Sequence, residues 1–154
     1  MGIQERVEDA RCLLQMKRYD GALLMLLVAV DATARKENKE IGGNRKRFEK
    51  FIEERFSTVG QVEYRGKLCT IPHVFYEWLR CNLVHEADLP DDIEFMETDQ
   101  ISIQAGGHPS KTLRLSHGWY KLLMKWVETA PCNARSVSGY SAWIPNISER
   151  DLRY

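Results

Sequence analysis

The feature that most constrains the fold is a run of apolar residues from Ala22 to Val30, with the sequence ALLMLLVAV. Asp20 precedes the run as a predicted N-cap, and helix-forming residues continue to Lys36. A helix that is apolar on every side belongs at the centre of a bundle. The run is far shorter than the roughly 20 apolar residues that a membrane-spanning helix needs. We therefore expect a buried central helix.

Four more helices are predicted by apolar residues that recur at helical spacing. They cover residues 3–16, 44–56, 70–89 and 117–130. Asn44 and Thr70 stand where a side chain can cap a first turn, and Pro131 ends the last helix. Together with the central helix, these segments predict a bundle of about five helices.

Strand signals are few and short. Residues 57–69 are interpreted as a loop with room for one strand at Val62–Tyr64. Residues 101–104 and 112–115 alternate around Gly106-Gly107, which predicts a small β-hairpin before the last long helix. The predicted class is therefore all-α, with a helical bundle over residues 1–131. Residues 132–154 are predicted to be a C-terminal tail that packs on the bundle through Trp143, Ile144 and Ile147.

Composition narrows the function classes. Net charge is zero and the pI is about 6.9, so the chain has no general attraction to nucleic acid. Its four cysteines form no C-x-x-C pair, and its histidines do not cluster at zinc spacing, so we expect no metal and no cofactor. The acidic stretch 86–99 is predicted to be a solvated loop. With no signal-peptide layout at Met1, a cytoplasmic protein with reduced thiols and no membrane partner is expected.

The candidate chemistry lies in the segment 75–86, FYEWLRCNLVHE, where four residues separate Arg80 from His85. Arginine is a permanent cation whose forked donors suit phosphate. Histidine is the side chain best suited to proton transfer near neutral pH. Such a pair is expected about once by chance at this spacing, so its context matters more than the spacing does.

In the order of its residue types, this segment resembles the R-x(4–6)-H motif of the HEPN family of helical nucleotide-binding and ribonuclease domains. The resemblance implies a helical bundle in which Arg80 holds the scissile phosphate and His85 is general base or general acid. It implies a homodimer whose two motifs share one cleft. The implied activity is metal-independent endoribonuclease action on RNA that leaves 2′,3′-cyclic phosphate ends. Toxin–antitoxin systems or anti-phage defence would be the setting, with an antitoxin or another protein as a further partner.

The resemblance also assigns supporting roles. Active members usually have Asn, Asp or His directly after the arginine. This chain has Cys81 there and Asn82 one position later, so either residue could support the site. Glu86 follows His85 and could orient it. On an ideal α-helix, Arg80 and His85 point about 140° apart. They converge only if the helix distorts near Leu83 or if a second protomer contributes its own pair.

Plainer interpretations stay open. Arg80 could pair with a nearby carboxylate such as Glu77, and His85 could be a surface or cap residue. The chain would then be a catalytically silent HEPN-like bundle that binds a nucleotide or a protein, or an unrelated helical interaction domain. Asp31 is predicted to pair with Arg35 one helical turn later. The triplet Arg45-Lys46-Arg47 predicts either a contact with an RNA backbone or a solvated face of mixed charge.

Overall fold

The computed structural model describes residues 2–56, 60–106 and 113–134. Its α-helices are α1 (Ile3–Gln15), α2 (Tyr19–Glu37), α3 (Asn44–Arg55), α4 (Ile71–His73), α5 (Asn82–His85) and α6 (Gly118–Glu128). A π-helix, Val74–Cys81, connects α4 to α5 without a break, and a 3₁₀-helix covers Pro131–Asn133. We call the continuous helical segment 71–85 the motif helix.

Five short strands form two sheets. They are β1 (Gln61–Tyr64), β2 (Lys67–Thr70), β3 (Ile93–Met96), β4 (Ile103–Ala105) and β5 (Leu113–Ser116). β1 and β2 form a two-stranded sheet, and the second sheet has the order β3-β5-β4. About 60% of the described residues are helical and 15% lie in strands. The prediction of an all-α bundle is therefore wrong, because the fold is mixed α/β.

Helix α2 is the central element, as its apolar run predicts. It packs against α1, α3, α6 and the motif helix, and nine of its residues are buried. Val28 is the large apolar residue of the run that reaches the surface, with 36% of its area exposed. The buried rings of Phe75 and Trp119 pack together in the core, and the partly buried Phe56, just after α3, packs against Trp119.

The segment predicted to be mostly loop contains a β-hairpin. β1 and β2 pair antiparallel from Gln61–Thr70 to Tyr64–Lys67, so only two residues make the turn. These are Arg65 and Gly66, and both have positive φ, 51° and 75°. Positive φ at both central positions is the geometry of the tight turn whose twist matches that of paired strands.

The second sheet contains one expected and one unexpected pairing. β4 and β5 pair antiparallel, with Ile103 opposite Leu115, as the alternation predicts. β5 also pairs in parallel with β3, which lies inside the acidic stretch predicted to be a loop. That prediction is wrong for residues 93–96. Ile93 is buried, while the neighbouring Glu94 faces outward and pairs with Arg114 across the sheet at 3.2 Å.

The predicted helix starts are partly correct. Thr70 caps the motif helix, because its Oγ1 accepts a hydrogen bond from the His73 backbone N–H at 3.3 Å. Asp20 and Asn44 lie inside the first turns of α2 and α3 and cap neither helix. The motif helix ends at His85, short of the predicted 89.

At the other end of the described chain, the 3₁₀-helix packs on α2. The Asn133 amide donates hydrogen bonds to Thr33 Oγ1 at 3.0 Å and to the Val127 carbonyl at 2.9 Å. Most of the predicted tail, including Trp143, Ile144 and Ile147, lies outside the described residues. No helix in the described part of the chain is long and apolar enough to cross a membrane.

Candidate functional site

Arg80 lies in the π-helix and is fixed by a carboxylate from α2. Its Nη2 donates to Asp31 Oδ2 at 3.1 Å, and the two side chains are 17% and 10% exposed. The guanidinium also lies 5.4 Å from the centre of the Tyr76 ring. Burial disfavours its charge, but attraction to Asp31 outweighs that cost, so the pKa of Arg80 is raised above its ordinary value. Arg80 is therefore a permanent, oriented cation.

Asp31 places a negative charge on the side of α2 that faces the motif helix. It directly follows the run that ends at Val30, and it also lies 3.6 Å from Arg35 Nη2, one turn along α2. The predicted Asp31–Arg35 pair is thus present. Asp31 binds Arg80 more closely, whereas the predicted alternative partner of Arg80 was Glu77. Arg80 is paired, as the plainer interpretation expects, but with a carboxylate from a distant part of the chain.

His85 is the last residue of the motif helix and is exposed to solvent. No hydrogen bond or ion pair joins its ring to any group in the described parts of the chain, Glu86 and Arg80 included. The helix is distorted, but the distortion is the π-helix that ends at Cys81, ahead of Leu83, and it joins His85 to Arg80 by no hydrogen bond. One protomer therefore holds Arg80 against α2 and leaves His85 free at the surface.

The supporting residues have different surroundings. The Asn82 side-chain amide donates to the carbonyls of Glu77 at 3.2 Å and Trp78 at 2.9 Å. Asn82 therefore stabilises the π-helix, whose altered hydrogen bonding is often found at functional sites. Cys81 is a half-buried free thiol next to Arg80. Glu86 is exposed, and its backbone N–H bonds to the Asn82 carbonyl.

The basic triplet at the start of α3 divides into three environments. Arg45 reaches the motif helix, where its side chain bonds to Glu77 at 3.4 Å and to His73 Nδ1 at 2.5 Å. Lys46 is exposed, and Arg47 donates to the Ile41 carbonyl at 2.6 Å. Only Arg45 of this triplet is therefore part of the same surface as Arg80.

The ring of Tyr76 lies near the guanidinium groups of both Arg45 and Arg80, and the sequence did not predict this role. Arg45 lies 5.8 Å and Arg80 5.4 Å from the centre of its ring. Burial raises the pKa of Tyr76, so its phenol stays neutral and adds no negative charge to the surface. His73 also belongs here, because its ring contacts Arg45. The sequence does contain one signal for Tyr76. It precedes Arg80 by four residues, and residues at this spacing are neighbours on the surface of a helix.

A separate cleft of about 400 Å³ lies at the acidic stretch. Its lining includes Asp20, Asp88, Asp91 and Glu97, beside the rings of Tyr19, Phe95 and His117. Tyr19 and His117 stack with ring centres 4.3 Å apart. Burial and then the nearby Asp88 raise the pKa of Asp20. The carboxylates repel a polyanion, and the cleft includes neither Arg80 nor His85.

The fold and site define a mixed α/β protein in which arginines from α2, α3 and the π-helix lie close together. A family model named Rv1289 matches residues 2–150, so the chain belongs to the Rv1289 family. No curated protein and no solved structure matches the chain significantly. The resemblance to the HEPN motif stays a prediction.

Proposed function

We propose that this chain is a metal-independent endoribonuclease of the HEPN type, with Arg80 and His85 as its catalytic residues. The observation that supports the proposal most is the oriented guanidinium of Arg80, in the same helix as an exposed His85. A fixed cation can hold a phosphodiester and stabilise the charge that develops on it. A histidine free of other partners can exchange protons with a substrate.

The proposed reaction uses the RNA's own nucleophile. His85 would take the proton from a 2′-hydroxyl, whose oxygen then attacks the adjacent phosphorus and displaces the 5′-oxygen. The leaving oxygen needs a proton, which a second acid supplies. The products are a 2′,3′-cyclic phosphate and a free 5′-hydroxyl. Arg80 would stabilise the phosphorane-like charge through guanidinium N–H groups that do not bind Asp31, while its Nη2 contact with Asp31 is kept.

A homodimer completes this site. Among the described histidines of one protomer, only His85 is exposed, whereas the reaction needs both a base and an acid. A two-fold axis near His85 would bring two motif helices together, because the same surface meets itself across such an axis. Val84, which is 42% exposed beside His85, supports this position as an apolar contact. RNA is the proposed substrate, and toxin–antitoxin biology or phage defence the proposed setting, with a neutralising protein as partner.

The first test is cleavage of several RNAs in EDTA by the wild type and by His85→Ala. We expect wild-type cleavage with cyclic phosphate ends and a loss of about 10²–10⁴-fold in the variant. Asp88→Asn is the control, since Asp88 is an exposed residue three positions beyond His85. Equal residual cleavage by the wild type and His85→Ala would remove the nuclease proposal.

A second candidate function is favoured by two specific observations. Asp31 neutralises Arg80, and His85 lacks an orienting partner among the described residues. Both facts fit a catalytically silent bundle that binds a nucleotide or a protein. RNA binding without cleavage at any pH would favour this candidate over the nuclease.

A further inference from the structure

We propose that Arg35, Arg80 and Arg45 form a track that binds successive phosphates of one single-stranded RNA, with Tyr76 between the last two arginines. This inference rests on the proposed function, because it names the substrate class and the binding residues of the same site. The arginines come from α2, the π-helix and α3, so only the folded chain brings them together.

The first link of the track is a shared carboxylate. Arg35 Nη2 and Arg80 Nη2 lie 3.6 Å and 3.1 Å from the same oxygen, Asp31 Oδ2. Because both nitrogens contact one oxygen, they lie less than about 7 Å apart. Two cations held this closely on one anion can also hold the oxygens of one or two neighbouring phosphates, through the guanidinium N–H groups that do not bind Asp31.

The second link is a shared ring. The guanidinium carbons of Arg45 and Arg80 both lie within 5.8 Å of the centre of Tyr76. Tyr76 also packs edge-on against Phe48, which fixes the ring in place. Cations beside an aromatic ring are a common arrangement where proteins bind single strands, since the ring stacks on a base while the cations hold the backbone.

The arginines have unequal access to solvent. Arg35 is 59% and Arg45 is 47% exposed, whereas Arg80 is only 17% exposed. Exposed ion pairs contribute little to stability, so a phosphate can replace Glu49 and Glu77 on Arg45 at small cost. The two exposed arginines therefore supply affinity, and Arg80 receives the phosphate that reaches deepest.

A half-buried central cation also selects the form of the RNA. A flexible strand can bend one phosphate toward Arg80 and place a base against Tyr76. The bases of a duplex are paired and stacked, and its backbone is stiff, so neither contact is open to it. Single-stranded RNA is therefore the ligand that fits this surface.

The experiment measures binding rather than cleavage. A fluorescent single-stranded RNA of about 12 nucleotides, long enough to cover a single-strand site, is titrated with His85→Ala protein at several salt concentrations, read by anisotropy. Arg35→Gln and Arg45→Gln are each added to this background. The matched control is Arg11→Gln, because Arg11 also pairs with two glutamates, Glu8 and Glu128, but lies on α1.

We expect each track variant to weaken binding about threefold to tenfold. Each should also reduce the slope of log affinity against log salt by about 0.7, the value for one phosphate contact on a single strand. Arg11→Gln should change neither quantity, and a duplex of equal length should bind more weakly. Thermal melts of all variants verify that the fold is kept.

Three results would overturn the track. Unchanged affinity and slope in both variants would exclude it while leaving the nuclease proposal intact, provided that the wild type still cleaves RNA. Equal loss in Arg11→Gln would show a general charge effect. Absence of RNA binding at low salt, together with absence of wild-type cleavage, would remove both the track and the nuclease.

Discussion

Replacement of Asp31 by asparagine should destabilise the fold strongly for a change of one atom. The substitution keeps the size of the side chain but removes the charge that faces Arg80 at 3.1 Å. Removing one partner of a fully buried ion pair costs about 3–5 kcal/mol, because the other charge stays buried and unpaired. An exposed pair contributes about 0–1 kcal/mol.

The magnitude for Asp31 follows from the exposure of its partner. Arg80 is 17% exposed and Asp31 is 10% exposed, so the pair lies nearer the buried limit but keeps some solvent. We expect Asp31→Asn to lower the free energy of unfolding by about 2–3 kcal/mol. Asp99→Asn is the matched control, since Asp99 pairs with Lys121 where both side chains are largely exposed. Its expected loss is below about 0.5 kcal/mol.

The assay is urea denaturation of the wild type and both variants, completed by a double-mutant cycle with Arg80→Met. Arg80→Met combined with Asp31→Leu should recover part of the loss, because apolar residues of similar volume can replace a buried pair. A loss below about 0.5 kcal/mol in Asp31→Asn, or purely additive losses in the cycle, would refute the argument. Such a result would mean that Asp31 does not hold the Arg80 side chain in solution. Orientation of Arg80 by Asp31 could then not support catalysis.

Two further predictions concern neighbouring contacts. Asn82→Ala should lower the unfolding free energy by about 1–3 kcal/mol, because the two π-helix carbonyls lose their donor; urea denaturation measures this, and an unchanged midpoint would contradict it. Asp92 accepts hydrogen bonds from Arg65 at 2.8 Å and from Tyr64, and chiefly the Arg65 bond lowers the pKa of Asp92 to about 2. The stabilisation by Asp92, about 1 kcal/mol after allowance for its partial exposure, should therefore be complete above pH 4 and disappear as the pH falls toward 2. The unfolding free energies of the wild type and Asp92→Asn should differ at pH 7 and converge near pH 2. A difference that stays constant with pH would exclude the Asp92–Arg65 ion pair as its cause.

The sequence correctly predicted those structural elements that are determined by residues close to one another in the chain. The apolar run identified α2 as the centre, and Thr70 marked the start of the motif helix. The alternation of Ile103 and Leu115 predicted the β4–β5 pairing. In each case, neighbouring residues of the chain determine which face is buried or which backbone group is capped.

The elements that were missed depend on distant partners. β3 becomes a strand because β5, about 20 residues later, pairs with it in parallel, and its four residues show only a weak alternation. The β1–β2 turn uses Arg65-Gly66 rather than the commoner Asn-Gly or Asp-Gly. These two sheets are the reason that the all-α prediction was wrong.

The candidate site was predicted in part. Arg80 and His85 were identified from their spacing and context, and the Asp31–Arg35 pair from helical periodicity. The contact between Arg80 and Asp31 was not predicted, because the two residues lie 49 positions apart in the sequence. The π-helix was also missed, since the side chain of Asn82 and the packing against α2 help to stabilise it, and neither leaves a periodic signal in the sequence.

The most direct test of the central proposal is the cleavage of RNA in EDTA by wild-type protein and by His85→Ala, side by side. We expect the wild type to cleave and leave 2′,3′-cyclic phosphate ends, and His85→Ala to be slower by about 10²–10⁴-fold at an unchanged melting temperature. Identical rates for the two proteins, or no wild-type cleavage of any RNA tested, would contradict it.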